Sequence, residues 1–401
     1  MRYSFRLAEL LGHVPDPRKR PGTIKTIVEY TGLDRHQVAA LLKNEVKYIP
    51  LKALSRLCDY LIEHGHVPAD QLPGALFAVE PENFWEMLAR RKRLELCMGV
   101  RRDEADNADS AWVVASDSLL LGELLNGVST LGGTAHHHVM PSGNAKPHPE
   151  HIKQTLVWSP FQAEDAVVKE RGAEVYREFD HTTSDKALIC LGSMKSNPVV
   201  ELVVASAFHG TPYVSEDDIA DPNDRTVPFY LRFRDFDPAA QSCFGGTRLA
   251  AGRDDGPGIY YRTADDKWEC VPWNAKDSDA AIVFYLHREA QGRLEMVLCG
   301  LSGRATRLLA KMLSSRAQNF WPPTFEGQGL QMGAYILQFQ IAPSGSKSSD
   351  LLRTDLSAST KVIPIEASVL ERRLLTRGGA LGGSEMSGSE MSGSEMTGQE
   401  A

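Results

Sequence analysis

The sequence predicts a multidomain protein: an all-α amino-terminal domain, an α/β domain and a low-complexity tail. Three observations carry this. Residues 1–80 place apolar side chains at helical spacing, Trp112 to about residue 372 alternates short β-rich runs with helical stretches, and the carboxy-terminal residues repeat Ser-Gly-Ser-Glu-Met with a five-residue period. A chain of 401 residues also exceeds what one hydrophobic core usually organises. With 42% hydrophobic and 24% charged residues it has the composition of an ordinary globular protein. No apolar run approaches the roughly 20 residues that span a bilayer. The start, MRYSFRLAELLGHVPDPRKR, has no apolar core followed by a small-residue cleavage site. The six cysteines are scattered without a C-x-x-C pair, a usage suited to reduced thiols, so a cytoplasmic setting is expected.

The first helix is expected over Tyr3 to His13, with Phe5, Leu7, Leu10 and Leu11 on one face, ended by the loop PDPRKRPG. A second spans Thr23 to Thr31, with Ile24, Ile27 and Val28 inward. Gly32 supplies a sharp turn, Leu33 plugs the angle, and Asp34 caps a short helix from Arg35 to Lys43 whose Val38, Leu41 and Leu42 face inward. After the turn Asn44 to Pro50, a longer helix runs Leu51 to Glu63. Two short helices around a glycine turn, braced by flanking helices, form a helix-turn-helix. Net charge is −8 over the chain, yet residues 18–56 hold nine Lys/Arg against three acids, a local +6. Phosphate attraction depends on the local patch rather than the whole-chain charge, so double-stranded DNA is the expected partner.

The run YTGLDRHQVAALLKNEVKYIPLKALSRLCDYL resembles the Cro/repressor-type (lambda-repressor-like, xenobiotic-response-element) helix-turn-helix family. The Arg6-Leu7-Ala8-Glu9-Leu10-Leu11 stretch matches its small variant with an Arg-Leu-x-x-Leu-Leu first helix. Val28 stands where the family usually has a small alanine, and Gly22-Thr23 precede Ile24 where the family often has a phosphate-clamping glutamine. The resemblance implies that the 35–43 helix enters the major groove. There Arg35, His36, Gln37 and Ala40 are expected to face base edges, Arg pairing with guanine, Gln with adenine and Ala touching a thymine methyl. Lys43, Asn44, Lys47 and Lys52 are expected on phosphates.

Residues 81–110 read as a basic helical linker, and residues 111–372 as an α/β domain. WVVAS (112–116), TLVWS (155–159) and ALICLG (187–192) each precede a helical stretch, as does EMVLCG (295–300), which follows AAIVFYLH (280–287). This pattern predicts a Rossmann-like fold, a mostly parallel sheet with helices on both faces. VPFYLRFRDF, GIYYRT and WECVPW alternate like strands of an antiparallel insertion. Three strand-to-helix junctions are small and polar: Ser116-Asp117-Ser118, Gly192 to Pro198, and Gly300 to Arg304. Open α/β sheets bind ligands beyond the carboxyl ends of their strands. Ser193, Lys195, Ser196, Asn197, Ser302, Gly303 and Arg304 are therefore the candidates for holding an anionic small-molecule effector.

No catalytic constellation, metal site or cofactor fingerprint is evident. Ser193, Ser302, Cys190 or Cys299 with His209 or His287 would make a nucleophile and base, but serines at strand ends and cysteines in apolar strands are usually structural. His136, His137, His138, His148 and His151 read as a solvated His-rich loop, and residues 373–401 as a disordered tail. Arg90-Arg91-Lys92-Arg93 and Arg101-Arg102 either extend the DNA footprint or line a solvated helix. The expectation is a sequence-specific transcriptional regulator, homodimeric on DNA, with a sensor or dimerisation domain. A DNA-targeted enzyme and a ligand-free assembly module are the alternatives.

Overall fold

The computed structural model describes residues 2–11, 23–43, 45–102, 110–132, 149–181, 185–219, 221–249, 256–288, 292–327, 330–341 and 360–375. The amino-terminal unit contains β1 (Arg2–Phe5), α1 (Leu7–Leu10), α2 (Thr23–Thr31), α3 (Arg35–Leu42), α4 (Leu51–Glu63) and β2 (Phe77–Glu80). Leu7, Ile27, Val38, Leu41, Leu57 and Leu61 form its fully buried centre. The helix expected from Tyr3 is thus corrected: Arg2–Phe5 pairs antiparallel with Phe77–Glu80, and only Leu7–Leu10 is helical. Phe5 meets Phe77 edge-on at 5.4 Å. A strand whose partner lies some seventy residues away leaves no trace in local periodicity.

Of residues 81–110, expected as a basic helical linker, the described residues 81–102 belong instead to the α/β unit. They supply α5 (Phe84–Ala89) and β3 (Arg93–Arg102), and Leu94 to Val100 of β3 are buried. The basic run flanks this apolar core, and its three arginines are held in ion pairs. Arg90 pairs with Glu86, Arg91 with Asp185 at 2.8 Å and Arg93 with Glu95 at 2.9 Å. Arg101 and Arg102 instead lie over the rings of Trp112 and Trp158.

The unit continues through β4 (Ala111–Val113), α6 (Ala115–Gly127), β5 (His151–Trp158), α7 (Asp165–His181), β6 (Lys186–Leu191) and α8 (Val199–Ala207). Then come β7 (Phe229–Arg232), β8 (Gly245–Gly246), β9 (Gly258–Arg262), β10 (Trp268–Pro272), β11 (Ser278–Arg288), β12 (Arg293–Gly300) and α9 (Gly303–Arg316). β13 (Phe325–Gly327), β14 (Leu330–Gln340), β15 (Thr360–Pro364) and α10 (Ala367–Leu375) close it. Among the described residues the main sheet has nine strands. It is mixed, not mostly parallel as expected. β5, β3, β6 and β12 run parallel in that order, whereas β11 and β14 continue antiparallel, with β13 and β15 both on β14. The reason is the connection between β11 and β12: residues 289–292 are too few for the crossover a parallel pair requires. The anticipated insertion is a separate four-stranded sheet in the order β10-β9-β7-β8.

Both faces of the main sheet are covered. Leu94, Leu96 and Met98 of β3 pack with α5, α6 and α9, while Cys97, Leu188 and Cys190 pack with α7, α8 and the second sheet. No described helix is long and apolar enough to cross a membrane. His136, His137, His138, His148 and residues 376–401 lie outside the described residues, whereas 373–375 end α10. His151 starts β5 and is exposed.

His287 on β11 makes the α/β unit acid-sensitive. Burial, then the Arg91 charge, drive its pKa down from 6.5 to about 3, against a hydrogen bond with Gln331 at 2.9 Å. The unfolded chain takes this proton near pH 6.5 and the folded chain holds out until about 3. Stability is therefore full above pH 6.5 and declines as pH falls toward 3, at a limiting slope of roughly 1.4 kcal/mol per pH unit. Urea midpoints between pH 7.5 and 5 should show this decline, and His287→Gln should reduce its slope. An unchanged slope in the variant would remove His287 as the cause.

Candidate nucleic-acid interface and strand-end cleft

The turn between α2 and α3 is built by local hydrogen bonds. Gly32 sits at φ +74°, a left-handed conformation that side chains disfavour. Thr31 Oγ1 donates to the Ile27 carbonyl at 2.6 Å and accepts from Leu33 N–H at 3.3 Å. Leu33 is buried, as expected for the plug of the angle. Asp34 then caps α3, accepting from Gln37 N–H at 2.8 Å, while Gln37 Oε1 accepts from Asp34 N–H at 3.2 Å. This reciprocal capping box satisfies two otherwise orphaned amides and fixes where the helix begins.

With Val38, Leu41 and Leu42 buried, His36, Ala40 and Lys43 occupy the opposite side of α3. Arg35, His36 and Lys43 are exposed, and so are Lys47 and Lys52 beyond the helix. Ala40 is half-buried. So is Gln37, whose carbonyl is held by the cap and whose amide N–H groups remain for other partners. Val28, in place of a small residue, is half-buried against the same core. Asn44 lies outside the described residues.

Residues 18–62 match the family model of the Cro/C1-type HTH DNA-binding domain. The amino-terminal unit carries a Cro/C1-type helix-turn-helix. No curated protein and no solved structure matches the chain. The Cro/C1-type segment covers α2, α3 and nearly all of α4, so the matched residues are those that frame the capped helix.

The α/β unit brings its three small, polar strand-end junctions to one cleft of about 120 Å³. Ser116 and Asp117 come from the start of α6, Gly192, Ser193, Lys195 and Ser196 from the β6 turn, and Gly300 to Gly303 with Thr306 from the end of β12 and the start of α9. Approach between them is close. A Cβ built on Gly192 would lie 3.2 Å from Asp117 Oδ2, and one on Gly303 would lie 3.5 Å from Ser116 Oγ. Of the expected residues, Ser193, Lys195, Ser196, Ser302 and Gly303 line the cleft.

Asn197 and Arg304 do not, because their donors are spent elsewhere. Asn197 is fully buried, donating to the carbonyls of Cys97 at 2.9 Å and Leu191 at 3.2 Å. Arg304 clamps the preceding loop, donating to Asp279 at 3.1 Å and to the carbonyls of Asn274, Ala275 and Ser278. Ser302 donates to Asp279 at 2.5 Å and caps α9 by accepting from Arg304 and Ala305 N–H.

The local reading missed Arg101, Arg234, Asp237 and Thr306. The signal for Arg234 and Asp237 was the charge alternation in RFRDFD (232–237), the run that leaves the second sheet. Lys195 Nζ donates to Asp237 Oδ2 at 2.8 Å and to Leu301 O at 3.0 Å, and Arg234 grips both oxygens of the same carboxylate. Burial raises the Asp237 pKa, but the bonds from Arg234 and Lys195 outweigh it and hold it below the usual range. Burial lowers the Lys195 pKa, against the opposing pull of Asp237. Burial also raises the pKa of Asp117. Three cations and two carboxylates thus line the cleft, leaving a modest positive excess.

The nucleophile candidates are not assembled with a base. Cys190 and Cys299 are buried, and burial pushes the Cys299 thiol up to about 12. His287 bonds Gln331, and neither His209 nor His287 lines the cleft.

Proposed function

We propose that the protein is a sequence-specific transcriptional regulator that binds DNA through α3 and senses an anionic small molecule in the α/β cleft. The observation that carries the DNA reading is the exposed side of a capped, Cro/C1-type α3 flanked by Lys43, Lys47 and Lys52. Arg35 and His36 at its first turn, with Gln37 and Ala40, would face base edges, and the lysines would neutralise phosphates. Asn44 is assigned to the phosphate side by its place after the helix. The cleft reading rests on three strand-end turns meeting around Ser193, Lys195, Ser196, Ser302 and Gly303, with helix starts that favour negative charge. The Rossmann-like comparison extends only to the parallel half of the sheet. The protein would act in the cytoplasm, needing no bound cofactor for DNA recognition.

One such module buries little DNA surface, so a homodimer on an inverted repeat is expected, with half-sites roughly 10 bp apart. Light scattering of the full chain, free and with selected DNA, checks this. A mass of one chain in both states would refute the dimer. Inorganic phosphate should raise the melting temperature of the wild type more than that of Lys195→Ala. Equal shifts would take Lys195 out of the site.

A further inference from the structure

The cleft holds more than an anion requires. A bare anion would gain nothing from Asp117, which is only 4% exposed yet lines the cleft. The one hydrogen bond to its carboxylate among the described residues is a 3.3 Å contact from Ser116 Oγ to Oδ1. The other oxygen, Oδ2, faces the bare Cα of Gly192, where a side chain would crowd it. A buried carboxylate with one oxygen open to a cleft is complementary to a neutral donor, such as a hydroxyl.

A second feature is Phe236, which is 70% exposed although it belongs to the loop that supplies Arg234 and Asp237 to the cleft wall. The Arg234 guanidinium lies 4.5 Å from the Phe236 ring centroid and 5.5 Å from that of Trp273, and the two rings meet edge-on at 6.1 Å. An aromatic held in place yet left mostly in water is a platform for a flat, apolar group.

Third, the three helix starts differ. Ser302 takes the first-turn amides of α9, and Asn197 accepts from Val199 N–H at the start of α8. α6, thirteen residues long, has Val114 at its N-cap and so no side-chain cap, and Val114 and Ser116 both line the cleft. Asp117 N–H donates to the Val114 carbonyl at 2.9 Å, so the N–H groups of Ala115 and Ser116 are those without an intrahelical acceptor, and they suit a phosphate beside Lys195.

We infer that the ligand is a nucleoside phosphate, with its base on Phe236, a ribose hydroxyl donating to Asp117, and its phosphate between Lys195 and the start of α6. This rests on the anionic-ligand reading of the cleft. The volume of about 120 Å³ is below that of pockets enclosing drug-sized ligands, roughly 300–1,000 Å³. The sugar phosphate therefore occupies the cleft and the base lies outside it on Phe236. A sugar phosphate without a base would leave Phe236 without a role.

Calorimetric titration of the full chain tests this with four ribonucleoside 5′-monophosphates, their 2′,3′-dideoxy forms, ribose 5-phosphate and inorganic phosphate. At least one ribonucleotide should bind about tenfold tighter than ribose 5-phosphate. Phe236→Ala should erase that advantage. Asp117→Asn should weaken the ribonucleotide about tenfold and leave its dideoxy form unchanged. Melting curves of both variants verify folding, and the exposed Phe236 provides the variant least able to disturb it. Ribose 5-phosphate binding as tightly as every nucleotide would overturn the nucleoside assignment and leave the anion cleft standing. No binding by any probe, phosphate included, would overturn both. Tight nucleotide binding indifferent to both substitutions would overturn this placement of the ligand.

Discussion

Replacing Lys43, Lys47 and Lys52 together with alanine is expected to remove most of the affinity for DNA of any sequence. All three side chains are exposed, at or beyond the carboxyl end of α3 and the start of α4. None is in an ion pair among the described residues, whereas Lys25, on the same unit, is already within 3.8 Å of Glu29. Each phosphate contact releases condensed counterions, so the slope of log K against log salt should flatten by about 0.9 for each lysine removed. Arg35→Ala should behave differently, costing roughly 1–3 kcal/mol at one base position and relaxing specificity there. Fluorescence anisotropy at several salt concentrations separates the two. A triple variant with the wild-type salt slope would show that these lysines do not touch the backbone.

Gly99→Ala is expected to destroy the cleft while sparing the helix-turn-helix. Gly99 lies on β3 directly beneath the β6 turn. A Cβ there would stand 1.7 Å from the Ser196 carbonyl oxygen and 2.8 Å from Ser159 Oγ. Ser159 Oγ donates to that carbonyl at 2.7 Å, so the contact fixes the turn that carries Ser193 and Lys195. Backbone cannot yield as a flexible side chain does, and overpacking of this kind typically costs 1–3 kcal/mol or more. The variant should melt lower and lose phosphate-dependent stabilisation, while an isolated DNA-binding titration changes little. Wild-type stability with intact ligand response would mean that the turn relaxes freely.

The contrast between these variants follows what local sequence could disclose. The helix-turn-helix was legible because its determinants are adjacent: Gly32 for the turn, Leu33 for the plug, and Asp34 with Gln37 for the cap. The convergence of the β6 and β12 junctions was legible from strand–turn–helix order, since parallel strands present their carboxyl ends together, whereas Ser116 and Asp117 join them after β4, which runs antiparallel to β3. The antiparallel pairing of β11 and β12 was equally available in the four-residue connection, but the apolar runs on either side were read as crossover strands. β3 was hidden because its basic flanks suggested a solvated helix, although the intervening LELCMGV is what a strand buried on both faces requires. Arg304 and Asn197 seemed poised for a ligand because their partners, among them Asn274, Asp279 and Cys97, come from segments that only the fold brings near. Arg234 and Asp237 reach the cleft from the second sheet, a placement no strand-end rule anticipates.

Sequence reading by α3 is tested by selecting fragments from a random DNA pool with the full-length protein and sequencing them. One enriched motif is expected, repeated with inverted symmetry, and its preference should weaken at a single position per half-site in Arg35→Ala. A bound pool indistinguishable from the input, or a motif that Arg35→Ala leaves unchanged, would contradict it.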